Sequence, residues 1–408
     1  MIEEYFPLLS ALVALLFGLA AGKAWERYKL HEGRWIDRRK ARQSPHYIQG
    51  LNFLVANQLD LAIEELSQAA RVDEEAVEIH MILGNLYREK GQVGRAIQIH
   101  QQILQRPRLS KLEHTYALLC LGLDFTRGGF VDRAHEAFGE VLRLDPSNEH
   151  ALLQLQKLFE DQNQWSDAYR VRRELAREDE PEHQQHRHLQ IQAFLENELG
   201  MQALARHDVP AARRHFEAAI ELDPEVVPAH LNLGDVKRDA GDMPGAVEVW
   251  ERLVASMPQR AHLVADRLGD AYTAAGRAEA FEHLFRRIAM DHPQDWRARL
   301  ALARHFMRGG RPDEALQMTL AALVTNPHAL LVHQAAWDIL LALNLDRSSV
   351  ERYVSNSRDA VFYRDPHICL RCRYRSKELL WRCPHCHEWN SFVEDRLAPA
   401  RPSEDADA

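Results

Sequence analysis

An all-α solenoid, preceded by one membrane-spanning helix and followed by a small metal-binding ribbon, is the architecture this 408-residue sequence predicts. Three observations predict it. Residues 5–22 carry no charge, small and aromatic residues recur at a period near 34 through the middle, and four cysteines cluster near the end. The composition is that of an ordinary folded chain, 46% hydrophobic and 27% charged, not that of a disordered one. A net charge of -9 is modest for this length and argues against nucleic-acid binding by the whole chain.

The first element is the membrane anchor, residues 1–22. Its core reads YFPLLSALVALLFGLAAG, which as a helix spans about 27 Å, close to the hydrocarbon thickness of a bilayer. Glu3 and Glu4 precede it, and Lys23, Arg27, Lys29, Arg34, Arg38, Arg39, Lys40 and Arg42 follow it. Basic residues stay on the cytoplasmic side, so the N-terminus is expected outside and the rest of the chain inside. A cleaved signal peptide would place its basic residues before the apolar run. Residues 23–45 then form a basic juxtamembrane linker suited to anionic headgroups.

The second element, residues 46–357, is the repeat array. Its clearest unit reads GNLYREKGQVGRAIQIHQ: Gly84, then Tyr87, a turn at Gly91, and Ala96. Gly50, Phe53 and Ala62 begin the series. Gly122, Phe125, Gly129, Ala134, Phe138 and Pro146 match closely, and Gln156, Phe159, Ala168 and Leu175 match weakly. The phase resumes at Gly200, Ala212, Phe216 and Pro224, then at Gly234, Gly241, Ala246, Trp250 and Pro258. Gly269, Tyr272, Gly276, Phe285 and Pro293 follow, then Ala303, Phe306, Gly310, Ala315 and Pro327, with a degenerate ninth unit around Trp337 to Tyr353.

This pattern has a physical reading. Small residues let two helices cross closely, and the aromatic residues are expected to fill the gap between one helix pair and the next. Gly91, Gly129, Gly241, Gly276 and Gly310 stop each first helix by taking positive φ cheaply. The prolines end each second helix. Such pairs bury their apolar faces by stacking on neighbours, so the array is a solenoid. The pattern resembles the tetratricopeptide repeat (TPR), a resemblance that implies a concave groove for segments of other proteins.

The period breaks twice. It stretches to 38 between Gly84 and Gly122, and to 44 between Gln156 and Gly200. The second insertion carries His183, His186 and His188, which could together hold a metal but read more simply as a solvated loop or an extended helix end. Cys120, beside Leu119 and Leu121, is expected to be a small buried hydrophobe.

The third element, residues 364–395, is a four-cysteine zinc module. Cys369 and Cys372 form one CxxC pair, and Cys383 and Cys386 form another. Four thiolates suit tetrahedral zinc, leave no position open for water or substrate, and so mark a structural site. Iron is the alternative metal for four thiolates. Arg371, Arg373, Arg375, Lys377 and Arg382 would offset the charge of the site, or form a basic patch for nucleic acid. Trp381, Trp389 and Phe392 are expected to cover the small core, which needs its metal to fold. The tail, residues 396–408, is rich in Pro, Ala, Asp and Glu and is expected to be disordered. No phosphate-binding loop, nucleophile elbow or H-E-x-x-H helix occurs, so the expectation is a scaffold and not an enzyme.

In combination, GLNFLVANQLDLAIEEL, GNLYREKGQVGRAIQIHQ and LLWRCPHCHEW resemble the lipopolysaccharide assembly protein B family. The resemblance implies a single-pass protein of the bacterial inner membrane, facing the cytoplasm and regulating lipopolysaccharide synthesis. It implies the protease FtsH, its client deacetylase LpxC and other assembly proteins as partners. It also implies Cys369, Cys372, Cys383 and Cys386 as ligands of a rubredoxin-like site. Such sites favour Gly directly after the second cysteine of each pair, where this chain has Arg373 and His387. Nucleic acid is the disfavoured partner, homo-oligomer formation stays open, and a different membrane-tethered TPR scaffold shares every fold-level feature.

Overall fold

The computed structural model describes residues 44–72, 76–176, 181–326, 329–343, 347–348, 350–351 and 367–395. The expected anchor, nearly all of the basic linker, the end of the ninth repeat and the C-terminal tail lie outside the described residues. Among the described residues no helix is long and apolar enough to cross a membrane.

The chain divides into two compact units, one ending at Gln162 and one beginning at Asn163. The first unit contains α1 (Pro45–Val55), α2 (Leu59–Val72), α3 (Val77–Glu89), α4 (Val93–Leu104), α5 (Lys111–Arg127), α6 (Val131–Leu144) and α7 (Glu149–Asp161). The second unit contains α8 (Trp165–Leu175), α9 (Glu182–Ala205), α10 (Val209–Leu222), α11 (Val227–Asp239) and α12 (Met243–Ser256). A short 3₁₀ turn, Pro258–Leu263, leads to α13 (Ala265–Ala274), α14 (Ala278–Asp291), α15 (Trp296–Arg308), α16 (Pro312–Thr325) and α17 (Leu330–Ala342). Strands β1 (His367–Cys369), β2 (Arg375–Ser376) and β3 (Phe392–Glu394) close the fold as a three-stranded antiparallel ribbon in the order β2-β1-β3.

Helix boundaries follow the residues that predict them. Gly91, Gly129, Gly241, Gly276 and Gly310 all take positive φ, between 66° and 85°. Three more units make the same turn without glycine: Asn57, Asn163 and His207 sit at φ 56°, 57° and 60°. Asn tolerates this conformation through its short polar side chain, and these positions fall in phase with the glycines. α6, α10, α12 and α14 each end two residues before Pro146, Pro224, Pro258 and Pro293, as the restriction on residues preceding proline requires.

The glycine at each crossing has a more specific role than close backbone approach. A Cβ at Gly122 would stand 2.5 Å from the Phe138 ring, one at Gly200 2.5 Å from Phe216, and one at Gly50 2.6 Å from Leu66. Gly234 is covered in the same way by Trp250. These large side chains therefore fill the gap within a helix pair, against its own glycine, while Phe216 and Trp250 also belong to cores shared with the next pair, the place the sequence suggested. Ala62, Ala96, Ala134, Ala168, Ala212, Ala246 and Ala315 are fully buried. Gly269 departs from the rule: its nearest ring is Phe281 at 3.6 Å, an ordinary contact. The extra residue and 3₁₀ turn before α13 shift the phase there, and Phe281 stacks instead on Phe285 at 4.4 Å.

The two insertions take different forms. The first adds a short connection closed by a capping box. The Ser110 hydroxyl accepts from the Glu113 N–H at 3.2 Å, and the Glu113 carboxylate accepts from the Ser110 N–H at 2.8 Å. The second lengthens α9 to 24 residues. Ile191 to Asn197 are seven consecutive buried residues, so this stretch of helix is enclosed on all sides rather than along one stripe. α8, α10 and α11 cover part of it, and the ribbon covers Phe194.

Candidate metal centre

The ribbon brings all four predicted cysteines together. Their Sγ atoms lie within 4.8 Å of one another, with Cys369–Cys386 at 3.7 Å and Cys372–Cys383 at 3.6 Å. A disulfide needs about 2.05 Å, whereas a tetrahedron with metal–sulfur bonds of about 2.3 Å has edges of about 3.8 Å. The separations thus fit four ligands around one metal. Among the described residues this is the one group of three or more potential ligands. His183, His186 and His188 lie on the first turns of α9 and form no such group.

Each CxxC pair is a tight turn. The Arg373 N–H donates to the Cys369 carbonyl at 2.9 Å, and the His387 N–H donates to the Cys383 carbonyl at 2.9 Å. Arg373 and His387, in the places where glycine was expected, adopt φ of 64° and 58°. The knuckle geometry is kept, at the steric cost of a side chain in the left-handed region. The His387 ring is held by Arg382 at 2.8 Å.

Backbone N–H groups of Arg371 and Cys372 point at the Cys369 sulfur, and those of His385 and Cys386 at the Cys383 sulfur. Burial alone would raise the Cys369 thiol, but the Ser391 hydroxyl and these N–H groups bring it down to about 6. Burial and the three neighbouring cysteines push Cys386 up to about 12. Four thiolates this close cannot all be charged unaided, and a divalent cation would remove that conflict.

The ribbon's aromatic residues divide between two tasks. Phe392 is buried with Cys369 and Cys383, and Leu379 and Leu380 pack beside them. Trp381 and Trp389 were expected over this core but face the helices instead. Trp389 stacks on Phe194 of α9 with ring centroids 5.3 Å apart, and Trp381 lies 6.4 Å from the same ring. The physical reason is size: so small a module cannot enclose two indoles, and α9 supplies the missing apolar wall.

Charged contacts complete the seat. Arg297 of α15 grips Glu394 through Nε and Nη2, each at 2.6 Å, and Arg187 of α9 reaches Glu388 at 2.5 Å. Burial raises the carboxyl of Glu198, with Arg382 acting in the opposite sense. Of the predicted basic patch, Arg371 pairs with Glu388, Arg375 with Asp395, and Arg382 lies over Trp389. These three arginines face acidic or aromatic groups of the chain itself.

A second buried polar cluster lies in the first unit. His100 occupies the slot that Leu66, Phe138, Phe216 and Trp250 hold elsewhere, with its ring against Gly84. Its Nδ1 meets Asp124 Oδ2 at 2.5 Å, and Asp124 Oδ1 accepts from Arg88 at 2.8 Å. His100 and Asp124 are fully buried. Burial disfavours the imidazolium, but Asp124 and Cys120 outweigh it and raise His100 to about 9. Cys120 is buried as expected, and its carbonyl accepts from Arg88 at 3.3 Å.

Known proteins match this arrangement at both levels. A family model described as a rubredoxin metal binding domain matches residues 367–394. One described as a tetratricopeptide repeat matches residues 47–108, 197–261 and 267–329. A solved structure, the C-terminal part of a TPR repeat-containing protein from Cytophaga hutchinsonii, aligns with 73% of this chain and 100% of its own, at 12% identity and TM-score 0.40. The fold and the site define a class: TPR proteins that carry a rubredoxin-like metal-binding ribbon at the C-terminal end of the array. Within that class, lipopolysaccharide assembly protein B of Escherichia coli strain K12 is 26% identical over 395 residues, covering 93% of this chain and 97% of that protein. The Haemophilus influenzae protein of the same name is 25% identical over 399 residues, with the same coverage of each chain. The chain is thus a relative of lipopolysaccharide assembly protein B along nearly its whole length.

Proposed function

We propose that this chain is a non-enzymatic adaptor of the bacterial inner membrane that regulates lipopolysaccharide synthesis. In this reading residues 1–22 anchor it with the array in the cytoplasm. The array holds partner proteins, and the adaptor promotes degradation of the deacetylase LpxC by the membrane protease FtsH while organising other assembly proteins. Cys369, Cys372, Cys383 and Cys386 hold a structural zinc ion, with iron as the alternative metal. The observation that carries the reading is the end-to-end likeness to proteins named for lipopolysaccharide assembly, joined to a repeat array and a ribbon of the same class.

The physics of the parts supports it. Repeat arrays present long surfaces to protein segments, and a metal centre closed by four thiolates has no coordination position for catalysis. Confinement to one membrane raises the effective concentration of adaptor and protease for each other. The test is the cellular half-life of LpxC with and without this protein in its native host. Depletion is expected to lengthen it. An unchanged half-life would reject the protease-adaptor reading and leave an assembly scaffold.

A further inference from the structure

The ribbon is not an appendage of the second unit, because its outward-facing groups are spent on the helices. Trp389 stacks on Phe194, which is 1% exposed. Glu388 and Glu394 are gripped by Arg187 and Arg297, which lie on α9 and α15. Trp381 packs against the apolar core that contains Trp250, Phe281, Phe285 and Phe306. Two ion pairs and two indoles therefore tie one small module to helices separated by ninety residues of sequence, Ala205 ending one and Trp296 beginning the other.

Every one of these contacts depends on the ribbon being folded. Glu388 and Trp389 lie two and three residues after Cys386, and Glu394 lies on β3, whose pairing with β1 runs through Cys369. The ribbon's own buried core consists of Cys369, Cys383 and Phe392. A core of that size does not hold a fold without its metal.

We infer that metal occupancy of the four-cysteine site works as a latch on the second unit. With metal bound, the ribbon covers the Arg187–Phe194–Glu198 face of α9 and engages Arg297. With metal lost, the ribbon releases and that face opens to solvent. The inference rests on the metal reading proposed above. It makes the metal site a control over what the helices expose, beyond a support for the ribbon itself.

The test uses the full chain, with metal content and amide hydrogen exchange measured on the same samples. Chelation under reducing conditions is expected to remove about one metal per chain and speed exchange over residues 187–198 by about tenfold or more, while residues 77–104 stay unchanged. A Glu388→Gln/Glu394→Gln variant separates the two claims, because it leaves all four cysteines in place. It is expected to keep its metal and still exchange faster over residues 187–198. Loss of metal with unchanged exchange there would overturn the latch while leaving the metal site intact. A purified chain without metal, or one keeping its metal after Cys383→Ser/Cys386→Ser substitution, would instead reject the four-cysteine assignment.

Discussion

The two insertions that interrupt the repeat make an instructive pair. The four extra residues before α5 are absorbed as a capped connection, and the repeat resumes in phase. The ten extra residues before Gly200 lengthen α9, and the added turns bear the ribbon through Arg187. A solenoid tolerates an insertion that ends in a loop, because loop length costs little. An insertion that extends a helix creates new surface, and that surface must be covered. Here the coverage comes from a module far along the chain, as the pairing of Phe194 with Trp389, 195 residues later, illustrates.

The difference can be broken most severely at the platform. Phe194→Ala removes a fully buried ring shared by α9 and the ribbon, and is expected to destabilise the second unit by about 3–5 kcal/mol. Urea unfolding of the full chain followed by tryptophan fluorescence would report it, since the tryptophans among the described residues lie in the second unit.

A smaller effect is expected at the buried pair in the first unit. His100 titrates at about 9 in the folded chain, above its ordinary value of about 6.5. Its contribution is therefore complete below about pH 6.5 and is lost as pH rises through about 9, a decline on the order of 3 kcal/mol. Chemical denaturation followed by circular dichroism at pH 6.5 and 9.5 would measure it. His100→Phe, which copies the residue at Phe138 and Phe216, is expected to flatten that dependence. A decline of equal size in the variant would place its origin elsewhere.

The smallest effect belongs to the first insertion. Ser110→Ala removes the capping box and is expected to cost about 1 kcal/mol, with no change in the metal content of the ribbon. A change in metal content would show that the two insertions are not independent.

Much of this was legible in the sequence. The glycine turns, the proline stops and the grouping of four cysteines each follow from one residue type at one spacing. The turns at Asn57, Asn163 and His207 were missed because their residue type differs, although their phase could have revealed them. His100 was readable in the same way, sixteen residues after Gly84 where its neighbours carry Leu, Phe or Trp. The seat of the ribbon was not readable. Phe194, Arg187 and Arg297 resemble ordinary repeat residues, and only folding brings them to Trp389, Glu388 and Glu394. Sequence spacing likewise assigned Trp381 and Trp389 to the ribbon's core, because it could not show that α9 offers them a larger apolar surface.

Complementation tests most directly whether the ribbon takes part in the proposed adaptor role. In a host depleted of this protein, LpxC half-life would be followed after re-expression of the natural chain or of the Cys383→Ser/Cys386→Ser variant, at matched levels. The account predicts that the natural chain restores rapid turnover and the variant does not. Equal restoration by the variant would contradict it, separating the metal centre from the function of the array.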